Sequence, residues 1–243
     1  MKIIVFFLAT ALLMGMGFPD ANSILEKVDK NLSSKNKILE SIMTIKGKRD
    51  TRTVTCKSYG EGTKKSFTEY LSPASDKGTK MLKLDGQLWI YTPTTDRIIQ
   101  ISGHMLRQSL MGSDLSYEDM MEDRKLADTY NAKVIGEEKI GSTNCWILEL
   151  TANVSDVAYS ARKLWVDTER FIPLKEELFA KSGQLLKTLE MNNIQKIQGK
   201  WYPLTMIYKD VLKDGNGTEF KVTDIKFNQD IPDYIFSKAA LKK

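Results

Sequence analysis

Three residue types that hydrolases combine stand within eleven positions of one another: His104, Ser113 and Asp114. A base, a nucleophile and a carboxylate work as a triad only when each is held by its surroundings. The segment carrying them has no strand alternation, and the chain has no Gly-x-Ser-x-Gly elbow. Glu118 and Asp119, with Glu122 and Asp123, are paired carboxylates of the kind that do acid–base work. On a short helix such a cluster is read first as a solvated face. His104 is the one histidine, which removes every two-histidine metal site. Cys56 and Cys145 are 89 positions apart and form no zinc-type pair. No catalytic residue, metal ligand or cofactor is therefore expected.

Charge excludes another class. The 36 basic and 31 acidic residues give a net charge of +5, and the basic ones are scattered, with no run longer than Lys64-Lys65 or Lys242-Lys243. Nucleic-acid binding needs a concentrated basic stripe, so no nucleic-acid partner is expected. A mild positive balance does favour approach to an anionic membrane surface.

The first seventeen residues read as an address. Lys2 precedes an apolar run, Ile3 to Met16, and Gly15 and Gly17 stand at −3 and −1 of a cleavage point. This is the pattern of a secretory signal peptide. The run is too short for the roughly 20 residues of a spanning helix; an uncleaved anchor is the other reading. Residues 18–243 are then an exported, periplasmic single domain acting as a monomer. Export permits a Cys56–Cys145 disulfide, with two buried free thiols as the alternative.

The elements that position these residues are mostly strands. Ser23 and Glu26 form a capping box, and Ile24, Leu25, Val28 and Leu32 recur at helical spacing behind it, predicting an amphipathic helix of about 14 residues. Beyond Ile38 the period is two. Turn signals such as Gly60-Glu61-Gly62, Asp85-Gly86 and Gly141-Ser142 separate about eleven or twelve strands running to Phe227. Short links mean antiparallel neighbours, so the expected fold is mainly β, one curved antiparallel sheet or barrel with few helices. A closing turn, Ile231 to Phe236, ends the ordered part.

The alternation fails between about 102 and 130. Four of the eight methionines after residue 17 lie there, Met105, Met111, Met120 and Met121, with Leu106 and Leu110 beside them. Methionine suits surfaces that repack against varied partners. Gly103 and Gly112 allow hinge freedom, Ser116 caps a short helix, and Ser113 and Asp114 shape the hinge, with Asp114 as a second cap. The segment reads as a movable lid or as a fixed plug. Strands such as Leu88-Trp89-Ile90-Tyr91, Cys145-Trp146-Ile147-Leu148 and Leu164-Trp165-Val166 are apolar on both faces, so both need cover, from protein or from an apolar ligand. The residues expected to line a cavity are Trp89, Tyr91, Trp146, Leu148 and Trp165. Met105, Leu106, Leu110 and Met111 would cover its mouth. A one-residue slip in register would exchange the lining residues for their neighbours.

Several stretches together resemble a known family. Leu71-Ser72-Pro73, Lys77-Gly78-Thr79, Leu88 to Pro93, Arg97-Ile98 and Met111-Gly112-Ser113-Asp114-Leu115-Ser116-Tyr117-Glu118-Asp119 are similar to the outer-membrane lipoprotein-sorting protein family, relatives of the periplasmic carrier LolA. Leu164-Trp165-Val166-Asp167, Pro173-Leu174-Lys175 and Trp201-Tyr202-Pro203 fit the same pattern. The resemblance implies a half-open LolA/LolB-like β-barrel closed by a helical lid and an N-terminal helix. It implies a non-enzymatic carrier that takes acyl chains of lipoproteins or lipids from an inner-membrane transporter to an outer-membrane acceptor. In the best-studied branch an arginine on an early strand holds the lid; the comparable stretch here, Lys64-Lys65-Ser66-Phe67, has lysines, which lack that planar fork. A sensor or scaffold on the same fold, binding lipid or a membrane protein without transfer, is the rival reading.

Overall fold

A computed structural model describes residues 18–122 and 124–243. The leader expected over residues 1–17 and Asp123 of the acidic cluster lie outside the described residues.

Helix α1 (Ala21–Leu32) opens the described chain. Its cap is Asp20 rather than Ser23, because the Asp20 carboxylate accepts the Ser23 amide at 2.8 Å and the helix begins two residues before Ser23. Six strands follow: β1 (Asn36–Lys46), β2 (Thr51–Glu61), β3 (Lys65–Ser72), β4 (Lys80–Leu84), β5 (Gln87–Thr92) and β6 (Arg97–Ile101). Each pairs antiparallel with the next. Asp85 (φ 48°) and Gly86 (φ 75°) make the two-residue link between β4 and β5, the left-handed turn that matches strand twist.

The chain then leaves the sheet. Two 3-10 turns, Gly103–Arg107 and Leu110–Gly112, precede the short helices α2 (Tyr117–Met121) and α3 (Leu126–Thr129). A second meander comprises β7 (Tyr130–Ile140), β8 (Thr143–Ala152), β9 (Ala161–Asp167), β10 (Pro173–Phe179), β11 (Leu185–Ile197), β12 (Lys200–Asp210) and β13 (Gly217–Phe227). That makes thirteen strands rather than eleven or twelve, since even five-residue runs such as β4 and β6 stand alone.

Strand β13 pairs with β1, joining the two meanders. The order is β6-β5-β4-β3-β2-β1-β13-β12-β11-β10-β9-β8-β7. The sheet is curved and unclosed, with β6 and β7 as its edges. The segment between them crosses from one edge to the other and covers the inner face, so the expected half-open, mainly β architecture is the one observed.

Both faces are covered by protein. On the inner face, α1 buries Ile24, Leu25 and Val28 against Tyr130, Leu148 and Leu164. The crossing segment buries Leu110 and Leu115 against Met43, Val54 and Tyr70. On the outer face the chain stays ordered beyond the expected closing turn. Turns Asp233–Phe236 and Lys238–Lys242 seat Phe236 and Leu241 against Phe67, Leu82 and Trp89. Burying a side chain such as Leu241 is worth about 1.5–3 kcal/mol, which explains why this short tail holds its place. Among the described residues no helix is long and apolar enough to cross a membrane.

Candidate functional site

A cavity of about 400 Å³ lies between the inner face of β1–β4, β12 and β13, the end of α1, and the crossing segment. That volume is within the range of small-molecule sites. Strand register builds its wall in rungs, because inward positions recur every second residue. One rung joins Met43 to Val54, and across the seam to Phe220 and Met206. Further along stand Ser41, Cys56 and Tyr70, then Leu39, Ser58, Thr68 and Met81, then Lys37, Gly60, Ser66 and Lys83. The wall is therefore apolar under Leu110 and Leu115 and becomes polar toward Leu32 and Ser34 at the end of α1. Burial makes the Tyr70 and Tyr208 hydroxyls in this wall harder to ionise, pushing both above the usual tyrosine range, so both stay neutral.

The segment over the cavity is fastened at several points. The Asp114 carboxylate accepts the Asp210 amide at 3.0 Å and the Thr218 hydroxyl at 2.7 Å. The Asp114 amide in turn donates to the Thr218 hydroxyl oxygen at 2.9 Å. Asp114 thus anchors the segment to β13 instead of capping α2. The cap of α2 is Ser116, in a capping box with Asp119. Lys213 donates to the Ser113 carbonyl at 2.6 Å. Lys83 donates to the Met121 carbonyl at 3.0 Å. Gly112 (φ 79°) follows Met111, itself left-handed at φ 51°, so a sharp turn is held open at the expected hinge.

Asp119 is no solvated carboxylate. Lys187 forms an ion pair with it, Tyr159 donates to it, and its side chain is mostly buried. Burial alone would raise the Asp119 carboxyl, but the Lys187 ammonium, with the Tyr159 hydroxyl and the Ser116 amide, holds it below the usual carboxylate range. Tyr159 is pushed up, by burial and by the adjacent Asp119 charge. Beside this pair lies a deeper one. Arg162 sits 3.8 Å from Glu176 and 3.5 Å from Glu122, and its guanidinium donates to the Tyr130 hydroxyl at 3.0 Å. Burial pushes the Glu176 carboxyl up, and Arg162 only partly offsets it.

The residues of a hydrolytic triad do not assemble. The buried Ser113 hydroxyl donates to the Leu115 carbonyl at 3.5 Å and accepts its amide at 3.2 Å, Asp114 is engaged with β12 and β13, and His104 is exposed. Cys56 and Cys145 are buried free thiols, not a disulfide. Burial pushes the Cys145 thiol up to about 11. Among the described residues no group of three or more histidine, cysteine or acidic side chains gathers around a metal position.

Of the residues expected at the cavity, Leu110 lines it. Met105, Leu106 and Met111, on the crossing segment itself, pack partly buried against the cluster that holds Leu110. Trp89 and Tyr91 instead point to the outer face, against the C-terminal turns, while their neighbours Leu88 and Ile90 face inward. Trp165 also faces outward with Cys145 and Leu174, its indole donating to Glu138 at 2.6 Å. Trp146 and Leu148 face inward but pack under α1. For Trp89, Tyr91 and Trp165 the register places the opposite set of side chains inside.

Comparison with known proteins bears on this geometry. A model of a family of uncharacterized proteins matches residues 62–243. Among curated proteins none matches. A DUF1329 family protein from Desulfovibrio piger is 26% identical, with 90% of this chain and 97% of that one covered and a TM-score of 0.83. A domain assigned to outer-membrane lipoprotein sorting from Vibrio parahaemolyticus is 25% identical over 92% and 98% of the two chains, with a TM-score of 0.79. A LolA superfamily protein from Nitrosomonas europaea is 28% identical over 90% and 98%, with a TM-score of 0.75.

The chain belongs to that family of uncharacterized proteins, and its fold is of the LolA type.

Within this LolA-type frame the lid contact looked for at Lys64 and Lys65 occurs elsewhere. Lys65 pairs with Glu61 at 2.7 Å. Arg52 on β2 donates to the Met111 carbonyl at 3.1 Å and pairs with Asp76. An early-strand arginine therefore does fasten the crossing segment of this chain. The sequence hid it, because its two partners lie 59 and 24 positions away and no local pattern links them. Asp210 and Thr218, the seats of Asp114, were equally silent.

Proposed function

We propose that the chain is an exported, periplasmic, non-enzymatic carrier that shelters an acyl chain of a lipid or lipoprotein in the lidded cavity. It takes this cargo from an inner-membrane donor and delivers it toward the outer membrane. The observation that carries the reading is the apolar cavity of about 400 Å³ between a curved sheet and a segment fastened by polar contacts. Each exposed CH₂ costs about 0.8 kcal/mol in water, so an unshielded chain does not cross an aqueous space. The fastenings are hydrogen bonds and ion pairs around an apolar interior, so the lid can lift without unfolding the sheet. Release then depends on an acceptor offering equal or better burial.

The test is organic extraction and mass spectrometry of the protein made with its own residues 1–17 in a host with two membranes, followed by vesicle-to-vesicle transfer. A stoichiometric acylated species, lost in Leu110→Asp and passed to acceptor vesicles, is expected. An empty protein that also fails to take up a fluorescent fatty acid overturns the reading. Lipid bound but never passed on replaces the carrier with a sensor.

A further inference from the structure

The polar end of the cavity does not suit a purely hydrocarbon occupant. Lys37, Gly60, Ser66 and Lys83 form one rung across β1–β4, and all four line the cavity. Lys83 is occupied with the lid, through the Met121 carbonyl at 3.0 Å and the Glu122 carbonyl at 3.4 Å. Lys37 is not. Among the described residues it has neither an ion-pair nor a hydrogen-bond partner, and the half-buried Ser66 hydroxyl has no hydrogen bond either. Gly60, between them, lets the Lys37 stem lie across β2 toward Ser66: a Cβ there would meet its Cγ at 3.5 Å and its Cε at 3.7 Å. One rung inward, the Ser58 and Thr68 hydroxyls bond each other at 2.9 Å.

The charges facing this end are unbalanced. Lys37 and Lys83 face it, against Glu122 as the acidic member of the lining, whereas Lys65 alternates to the outer face, over the Phe236 ring. Glu122 lies toward Arg162 and Arg124, and Lys65 is matched by Glu61. A half-buried lysine on the same rung as an unused hydroxyl, at one end of a largely apolar cavity, is matched by an anion carried on a chain. Charge-assisted hydrogen bonds are the strong ones in such a setting.

We propose that the rung of Lys37, Gly60 and Ser66 is a head-group subsite, so that the cavity selects a single-chain amphiphile with an anionic head. A carboxylate or phosphate docks on Lys37 and Ser66, and the chain runs past Ser58 and Met81 to Met43 and Leu110 under the lid. This rests on the acyl-chain reading above and specifies its cargo.

Binding of palmitate, hexadecyl phosphate and hexadecanol to the full chain, measured by displacement of a fluorescent probe, tests it. The two anionic amphiphiles are expected to bind about tenfold tighter than the alcohol. Lys37→Gln removes that preference, bringing the two anionic amphiphiles down to the alcohol; Ser66→Ala reduces it and serves where the first variant misfolds. A preference for palmitate over hexadecyl phosphate, or the reverse, supports the subsite and names its head group. Equal binding of all three overturns the subsite and leaves the cavity reading standing. Failure of all three to bind overturns both. Inorganic phosphate competing as well as hexadecyl phosphate makes this a free-anion site and overturns the amphiphile.

Discussion

Asp119 condenses much of the lid chemistry into one side chain. It closes the capping box of α2 with Ser116, accepts from Tyr159 and pairs with Lys187 on β11. The capping box was legible, because a hydroxyl three residues before a carboxylate is a local pattern. The pair with Lys187 was not, since 68 positions separate them. Its depressed carboxyl fixes a sign. A carboxylate with a folded-state pKa below its unfolded value contributes stability above the unfolded value. That contribution is lost as pH falls through the folded value. Asp119→Asn is therefore expected to cost about 1–3 kcal/mol in urea unfolding at pH 7. The gap between variant and parent should close below the ordinary carboxylate range. A gap constant down to pH 2 would mean that the charge of Asp119 does not hold the lid.

At the scale of elements, strands and turns were legible and faces were not. Every apolar run read as a strand is one, and Asp85-Gly86 makes the turn its sequence demands. In Leu88-Trp89-Ile90-Tyr91, however, all four residues are apolar, so no period distinguishes inside from outside. What decides is the cover. The C-terminal turns claim Trp89 and Tyr91, and the crossing segment claims Leu88 and Ile90. That tail is too short to show a helical stripe, which is why the sequence reading stopped before it. Helix α1 did show its stripe, and Leu25 at its centre is fully buried. Leu25→Ala is expected to cost about 2–5 kcal/mol. Urea denaturation checks this, and a loss under 1 kcal/mol would mean that α1 lies loosely on β7 and β8.

Taken whole, the molecule is two meanders joined along one seam, each carrying one thiol. Cys56 sits in the meander under the lid and Cys145 in the one under α1. If the seam makes a single cooperative unit, both thiols become accessible to a maleimide at the same urea concentration, with neither labelled before the transition. Labelling of one ahead of the other would show that the meanders unfold separately.

The seam also joins the first strand of the sheet to be made to the last. Lys37 pairs with Phe227, so the central ladder closes a loop of most of the chain, the type of contact that slows folding. A ribosome releases β1 early and β13 almost last. In the interval the inner wall of β1–β4, with Met43 and Val54, faces water beside an unpaired strand edge, a state prone to aggregate. The apolar inner wall is thus a hazard until its last neighbour docks. The time to dock β13 on β1 is therefore expected to govern how much chain aggregates before it folds.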